Sequence, residues 1–315
     1  MFEKLKGTIQ IDVDEVWTLL RYFGHDSKDS NQVYLSSIPR MLDLFDLYNF
    51  KTTFFIVGKD AKHTAKRNIL KQIVNRGHEL ANHSLSHVYG LAEQSFKKKK
   101  EEILEADKII SDIAGKKITG FRSPAYSVDE EILDILEEND YLYDSSLFPS
   151  FFCSLIRYFQ KNEVAKSAYG KFYNGTAPLS LYHPLKGEIW KIGNRRLVEI
   201  PVSVIPYFRL PFHMAYVYAS HTKLFDIGFF MLRNSGSIFN YVLHGTELID
   251  RLDDQRFPSG FKVNTPVEIR LAIYKNIFSK ISNYINIISS ENLIAKSRIH
   301  SKKHTLNEQF EIAEK

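Results

Sequence analysis

The sequence predicts an α/β fold in which seven strands and the helices between them form a distorted (β/α)7-type barrel. Short apolar runs alternate with segments of helical periodicity, which is typical of parallel βαβ units. Seven strands suit an incomplete barrel related to the TIM barrel better than an open dinucleotide-binding sheet, and no GxGxxG motif follows the first strand. A chain of 315 residues is long enough for one large domain of this kind.

The predicted strands are apolar runs, most of which end in polar motifs. They cover 8–13, 52–57, 79–82, 117–121, 141–144, 197–202 and 239–243. Helical periodicity predicts helices at 36–48, 69–74, 96–113 and 128–136, and a longer one from 266 to about 288. In the first helix, the apolar spacing predicts a core face formed by Ile38, Met41, Leu42, Leu44 and Phe45.

Two stretches do not follow the alternation of strand and helix, and they determine the predicted domain boundaries. Residues 147–195 are rich in Tyr, Phe, Gly and Pro without a regular period, which indicates an insertion between strands five and six. Beyond residue 250, a polar loop precedes the long helix and a polar tail. The predicted barrel domain therefore covers 1–250, and 251–315 form a C-terminal helical extension and tail.

Composition excludes several classes of protein. With 44% hydrophobic and 25% charged residues, the chain is neither disordered nor a coiled coil. The single cysteine, Cys153, excludes an internal disulfide and a cysteine-ligated zinc site. The net charge of +5 is mild. In the run Lys97–Lys100, Lys97 and Lys98 lie four residues before Glu101 and Glu102, as on a solvated helix face. We therefore expect no nucleic-acid partner.

The N-terminal segment MFEKLKGTIQIDVDE carries acidic residues where a secretory leader would be apolar. No stretch approaches the roughly 18 uninterrupted apolar residues of a membrane span. The sequence therefore predicts a cytoplasmic protein, and it does not define the oligomeric state. Aromatic stretches at 150–159 and 203–218 are candidates for a lipid-facing or sugar-stacking surface, or for ordinary core and loop.

Two of the strand-end motifs predict a metal site. Asp12 and Asp14 lie two residues apart at the end of strand one, so both carboxylates should point to one face, an arrangement that favours a bound cation or a nearby arginine. His83 and His87 follow strand three, and histidines four apart on a helical turn can share a metal. Such a His₂Asp set leaves coordination open for water and substrate, as catalytic zinc requires.

The chain contains a control for the histidine spacing. His300 and His304 are also four residues apart, but they sit among lysines in the polar tail, with no strand before them and no carboxylate nearby. We expect this tail pair to bind no metal.

Three further motifs close strands four, five and seven. Arg122, in FRSPAY, is either a surface residue or the bidentate partner that holds Asp12 ionised. Asp144, in YDSS, taken alone is typical of a helix cap or turn. His244, in VLHG, taken alone is typical of a structural histidine, but with a metal opposite it would suit a general acid.

The ordered set IDVD, HSLSH, FRSPAY, YDSS and VLHG resembles the five motifs of the NodB-homology polysaccharide deacetylases, carbohydrate esterase family 4. The phrases TTFFIVG and GHELANHSLSH are similar to the second strand and the third-strand lead-in of the same family. The resemblance covers about residues 6–250. The first motif departs from the commonest TFDD form and is similar to the D-x-D variant of allantoinase-like, deformylase-like and exopolysaccharide-locus members.

The resemblance implies a NodB-like barrel and a metal-dependent hydrolase that removes an N-acetyl or N-formyl group from an amino sugar or glycan. It implies that Asp14, His83 and His87 bind a divalent metal, usually zinc, with Co²⁺, Mn²⁺ or Ni²⁺ as alternatives. It implies that Asp12 is the general base and that Arg122 holds Asp12. It also implies that His244 is the general acid, that Asp144 orients His244, and that Tyr126 is a backbone donor to the oxyanion. Ser84 and Ser86 are expected to shape the turn.

The substrate stays open at this point. A cytoplasmic enzyme would meet nucleotide- or polyprenyl-linked amino sugars on the inner face of the membrane, which predicts a peripheral membrane contact. One alternative is an allantoinase-like hydrolase of linear or cyclic amides on the same fold. The other is a degenerate, metal-free member that binds glycan without cleaving it, and metal analysis separates this class from the enzymes.

Overall fold

The computed structural model describes residues 4–22, 24–25, 29–150, 190–191, 196–256 and 265–296. Within these residues the chain forms a curled, mostly parallel sheet with helices packed against it. The predicted distorted α/β barrel is confirmed.

The sheet is built outward from β1 (Leu5–Val13), which is buried from its third residue onward. The strands that follow along the sheet are β2 (Thr53–Ile56), β3 (Glu79–Asn82), β4 (Gly120–Phe121), β5 (Tyr143–Asp144) and β7 (Val198–Glu199), all parallel. On the other side of β1 lies β10 (Phe239–His244), also parallel. An antiparallel edge strand, β6 (Trp190–Lys191), pairs with β7.

One backbone hydrogen bond and several from side chains bridge β10 and the segment that follows β7. The Ser203 amide, four residues beyond β7, donates to the Asn240 carbonyl on β10 at 3.1 Å. The Asn240 side-chain amide donates in turn to the carbonyls of Ile200 at 3.3 Å and Pro201 at 3.1 Å. The barrel is therefore distorted, since polar side chains replace part of a regular strand ladder. A separate hairpin, β8 (Val204–Ile205) and β9 (Leu210–Pro211), follows directly.

The helices have these bounds: α1 (Val16–Tyr22), α2 (Ile38–Leu47), α3 (Gly58–Ala61), α4 (Thr64–Asn75), α5 (Phe96–Ala114), α6 (Glu130–Glu138), α7 (Met214–Asn234), α8 (Val267–Tyr284) and α9 (Ser290–Lys296). Ser95 caps α5 by accepting from the Lys98 amide, and Asp129 caps α6 by accepting from the Ile132 amide. A five-residue π-helix, Val33–Ser37, leads into α2.

All seven predicted strands are confirmed, although most are shorter than their apolar runs. The α2 residues expected in the core are buried: Ile38, Met41, Leu42, Leu44 and Phe45. Lys98 forms the expected i,i+4 ion pair with Glu102 at 3.0 Å. The predicted insertion falls largely on 151–189 and 192–195, which lie outside the described residues, as do Cys153 and the tail pair His300 and His304.

The described part of the C-terminal segment packs on the same sheet. Strand β11 (Ile285–Ile287) pairs in parallel with the first half of β1, leaving the second half to β2. Tyr274, Ile277, Phe278 and Ile281 of α8 join the main apolar core. The domain division at residue 250 stays a prediction, whereas 265–296 contribute to the core that supports β1.

No helix in the described residues is long and apolar enough to cross a lipid bilayer.

Candidate metal centre and catalytic site

Parallel strands bring the motif residues to one end of the sheet, the carboxyl end. Asp12 lies opposite His244 in the pairing of β1 with β10. His83 and Arg122 directly follow the last residues of β3 and β4, and Asp144 is the last residue of β5. Barrel enzymes collect catalytic groups at this end, because several loops of different sequence meet there.

Asp14, His83 and His87 form the one group of possible metal ligands within the described part of the chain, with ligand atoms within 4.8 Å of one another. The Oδ1 atom of Asp14 lies 3.1 Å from Nε2 of His87 and 3.6 Å from Nε2 of His83. This oxygen is buried, and within the described part of the chain it has no hydrogen bond of good geometry. A buried oxygen facing two imidazole nitrogens is a donor set that suits a divalent cation such as zinc.

The turn that carries the two histidines is held by polar side chains rather than by a helix. The Asn82 side-chain oxygen accepts from the Ser84 amide at 2.9 Å, and Ser84 Oγ accepts from the His87 amide at 3.1 Å. Ser86 donates to both Glu102 oxygens, at 2.8 Å from its amide and 2.7 Å from its hydroxyl. Ser84 and His87 have positive φ angles of 64° and 51°. The expected helical spacing was therefore wrong, whereas the expected turn-shaping role of Ser84 and Ser86 is consistent with these contacts.

The electrostatics of the site favour an ionised Asp14 and a neutral His83. Burial alone would raise the pKa of Asp14, but the charges that His87, His83 and His244 can carry hold that pKa below its usual value. Burial lowers the pKa of His83, against the opposing charges of Asp12 and Asp14. Nδ1 of His83 bonds the carbonyl of Arg122 at 2.7 Å, which leaves Nε2 toward Asp14.

Arg122 is fully buried and every part of its guanidinium is bound. Nη1 donates to Asp12 Oδ1 at 2.7 Å, and Nε donates to the Ser145 carbonyl at 2.8 Å. Nη2 donates to Ser145 Oγ at 3.0 Å and to Gln10 Oε1. The guanidinium carbon lies 4.5 Å from the centroid of the Phe55 ring. Burial disfavours the charged form, yet the Asp12 charge raises the pKa of Arg122, so the two form a buried ion pair. The placement of Arg122 on Asp12 agrees with the prediction.

The structure corrects the predicted partner of Asp144. Asp144 does not pair with His244; Ser146 donates to its carboxylate, with Oγ 2.7 Å from Oδ1 and the amide 3.2 Å from Oδ2. Its neighbour across the parallel pairing is Glu199, whose own Oε1 accepts from the Leu147 amide at 3.0 Å. Burial and the Asp144 charge raise the pKa of Glu199 well above its usual value, so Glu199 keeps its proton and donates to Asp144.

The structure also corrects the prediction for the Tyr126 amide. This N–H donates to the Ser123 carbonyl at 2.9 Å within a short 3-10 turn, so it does not point to a substrate oxygen here. The Tyr126 ring lies 5.7 Å from the Arg122 guanidinium carbon and 5.2 Å from the Phe148 ring. Tyr126 therefore borders the site through its ring.

His244 is in the predicted position at the end of β10. Its side chain is 37% exposed, which leaves it open to a substrate, whereas Asp12 and Arg122 behind it are buried. Its Nδ1 lies 3.7 Å from Oε1 of Glu247, a side chain with 1% exposure. Among the described residues, the carboxylate within ion-pair range of this imidazole nitrogen is therefore one that the motifs do not contain.

Sequence reasoning missed several polar residues of the site. Gln10 was detectable, because it precedes Asp12 by two residues and so points to the same face of β1. Glu102 and Glu199 lie on other elements and reach the site only through tertiary packing. Glu247 reaches it through a 3-10 turn directly after β10, which no sequence motif marks.

We expect the double variant His83→Ala/His87→Ala to lose the bound metal ion, because two of the three facing ligand atoms are removed. The matched control is His300→Ala/His304→Ala, which has the same spacing and should keep the full metal content. Metal analysis of the purified proteins by mass spectrometry measures both. Equal metal content in the two double variants would place the ion elsewhere.

Comparison with known proteins supports the same family. Residues 29–143 match the sequence profile described as polysaccharide deacetylase. The chain is 31% identical over 148 residues to a peptidoglycan deacetylase of Helicobacter pylori, covering 45% of this chain and 49% of that protein. It is also 31% identical over 108 residues to a peptidoglycan-N-acetylglucosamine deacetylase of Bacillus cereus, covering 34% and 38%. The chain thus spans half or less of the curated relatives that it matches.

The fold has a solved counterpart. A crystal structure from Mycobacterium smegmatis, described as a candidate polysaccharide deacetylase, superposes with a TM-score of 0.63. The match covers 95% of this chain and 94% of that one at 17% identity, so it supports the fold alone.

The family profile includes His83, His87 and Arg122. Asp12, Asp14 and His244 lie outside the matched residues, and the parallel register of β1 with β10 and β2 brings them to the same end of the sheet. The motifs and the profile match agree that the chain is similar to the polysaccharide deacetylase family over residues 29–143.

Proposed function

We propose that the protein is a metal-dependent deacetylase that removes an N-acetyl or N-formyl group from an amino sugar in a glycan or a glycan precursor. The proposal rests on one observation, which is that the possible metal ligands and the acid–base residues lie at the same end of the sheet. Asp14, His83 and His87 place three ligand atoms within 4.8 Å, and the Arg122–Asp12 pair and His244 lie at the same end of the sheet.

Asp14 Oδ1, His83 Nε2 and His87 Nε2 would hold the ion. The bound ion would supply a Lewis acid that polarises an amide carbonyl and lowers the pKa of water. Zinc suits two imidazoles and one carboxylate, with Co²⁺, Mn²⁺ and Ni²⁺ as alternatives for the same donors.

Asp12 acts as the general base. Arg122 donates to its Oδ1, which leaves the other oxygen to accept a proton from the attacking water. As that proton moves to Asp12, the water oxygen bonds to the amide carbon. The base therefore has a fixed position, because the guanidinium that orients it is itself bound on all sides.

His244 acts as the general acid. An amine leaves poorly as an anion, so its nitrogen must gain a proton as the carbon–nitrogen bond breaks. His244 projects from β10 at the level of Asp12 and is half-exposed, so a substrate between the two can reach both groups. The products are the carboxylate and the free amino sugar.

The choice of an amino-sugar substrate is supported by the relatives. Those from H. pylori and B. cereus are named as deacetylases of peptidoglycan, a polymer of N-acylated amino sugars. An allantoinase-like amidase would use the same residues, so substrate tests must separate the two. A metal-free glycan binder needs neither base nor acid, so the set of Asp12, Asp14, His83, His87 and His244 argues against it.

The experiment that tests this proposal is amine release from a panel of amides. The panel contains N-acetyl and N-formyl amino sugars as free sugars, nucleotide-linked, polyprenyl-linked and polymeric forms, and a cyclic ureide. We expect release from at least one sugar form and none from the ureide. Turnover of the ureide alone would favour the amidase, and no turnover by a metal-loaded protein would contradict the deacetylase.

We also propose that the protein works at the inner face of the cytoplasmic membrane, where lipid-linked precursors are presented. The support is the tip of the β8–β9 hairpin. Tyr207 is 85% and Phe208 64% exposed there, and Arg209 follows them. Aromatic side chains next to a basic residue suit the interface between lipid headgroups and acyl chains. Part of the predicted aromatic stretch is thus exposed, whereas Phe212 is core.

We expect Phe208→Ser to weaken binding to anionic vesicles in a flotation assay, because it removes an exposed apolar ring from the hairpin tip. Leu47→Ser is the matched control. Leu47 is 66% exposed at the end of α2, just before β2 begins, and so lies at the opposite end of the sheet. Equal binding of the two variants to anionic vesicles would contradict the proposed membrane contact. Equal binding of the wild type to anionic and neutral vesicles would contradict it as well.

A further inference from the structure

We propose that Glu247 is the positioning residue of the general acid: its carboxylate holds Nδ1 of His244, so that Nε2 is the nitrogen presented to the leaving amine. This inference rests on the proposed function. It adds a residue that lies outside the five sequence motifs, and it replaces the role first predicted for Asp144.

The geometry follows from the way in which β10 ends. His244 is the last residue of the strand, and the chain then forms a 3-10 turn over Gly245–Leu248. Three residues per turn bring the side chain at i+3 back over residue i, and so bring Glu247 to His244. Nδ1 and Oε1 are 3.7 Å apart, within ion-pair range. Catalytic hydrogen bonds are often long in the absence of substrate and shorten in the complex.

The turn is clamped from two sides, so Glu247 has little freedom to move. Arg270 of α8 is fully buried, and it donates from Nη1 to the Glu247 carbonyl at 2.6 Å and from Nη2 to the Ile249 carbonyl. The Leu248 amide donates to Ser37 Oγ at 3.1 Å. A Cβ on Gly245 would lie 2.8 Å from a Val33 methyl carbon, so only glycine lets the turn pack this closely.

Among the described residues, the other carboxylates near His244 have hydrogen-bond or ion-pair partners of their own. Asp12, its register partner on β1, is bound by Arg122, and Asp14 faces His83 and His87. Asp144, the rival candidate, is held by Ser146 and Glu199. Glu247 thus provides the negative charge at Nδ1. A carboxylate at one imidazole nitrogen fixes the tautomer and stabilises the doubly protonated ring that an acid requires.

We expect Glu247→Gln to lower kcat for an amide substrate about 10- to 1,000-fold with little change in KM, because the orientation of the acid and its charge act in the transition state. The loss should be smaller on an ester analogue, whose alcohol leaves without full protonation. Glu247→Asp should recover part of the rate. Glu79→Gln is the control for removing a buried carboxyl, since Glu79 begins β3 at the far end of the sheet.

A second measurement does not depend on activity. ¹⁵N NMR of the imidazoles in the zinc-loaded protein reports which nitrogen carries the proton, and the His244→Gln variant assigns the signal. We expect Nδ1 of His244 to be protonated in the wild type. Glu247→Met, which offers no acceptor, should shift the proton toward Nε2, whereas Asp144→Asn should leave it unchanged.

The outcomes separate this inference from the proposed function. A wild type without deacetylase activity contradicts the function, while the imidazole spectrum still decides what positions His244. An active enzyme whose His244 signal and amide-to-ester ratio are the same in wild type and Glu247→Met overturns the role of Glu247. A His244 signal that moves in Asp144→Asn and not in Glu247→Met assigns that role to Asp144.

Discussion

Replacement of Asp12 by asparagine should lower kcat about 100- to 10,000-fold while the protein keeps its metal ion. The amide oxygen of asparagine can still accept from Arg122, so the local structure should persist. The amide cannot take a proton from water, so only the base is lost. Steady-state kinetics together with metal analysis of the same preparation measure both quantities.

Asp14→Asn is the matched control for this experiment. It makes the same chemical change two residues away, at the oxygen that faces His83 and His87. It should weaken metal binding, and its activity should return as the metal concentration is raised. If Asp12→Asn loses the metal and Asp14→Asn keeps it, the roles of the two carboxylates are the reverse of those assigned here.

Arg122→Met should lower the free energy of unfolding by about 3–5 kcal/mol, because breaking a buried ion pair leaves one charge uncompensated. Asp12 would lose its guanidinium partner while it remains 4% exposed. Gln10 and Ser145 would each lose a donor to a buried oxygen. Urea denaturation monitored by circular dichroism measures the change, and activity should fall because Asp12 is no longer held.

The double variant Asp12→Asn/Arg122→Met separates the ion pair from simple loss of packing. Removing both charges together leaves no unpaired carboxylate, so the double variant should be less destabilised than the sum of the two single variants. Strict additivity would show that the pair has no coupling energy and that Arg122 acts through packing alone.

The sequence predicted the sheet well because its strands are apolar runs bounded by polar motifs. Each predicted run overlaps one observed strand, and the overlapping residues are buried. Several elements were missed, and for two of them the physical reason is clear. β11 is a three-residue strand that pairs only with the first half of β1, and its residues 285–287 continue a helical pattern. α7 begins in an aromatic stretch without a clear period.

The candidate site was predictable where chemistry is concentrated in motifs and not where it depends on tertiary contacts. The grouping of Asp14, His83 and His87 follows from strand ends that meet at one edge. The partner of Asp144 could not be predicted in this way, because Glu199 comes from a strand more than fifty residues later. Glu247 lies three residues from His244, but its importance depends on a 3-10 turn that the local sequence does not specify.

The most direct test of the account is the dependence of activity on one ion at Asp14, His83 and His87. The purified protein is stripped with a chelator and titrated with zinc while amine release and bound metal are measured together. We predict that activity returns in proportion to bound zinc and saturates at one ion per chain, and that His83→Ala/His87→Ala regains none. Full activity in the stripped protein, or recovery in the double variant, would contradict the central claim.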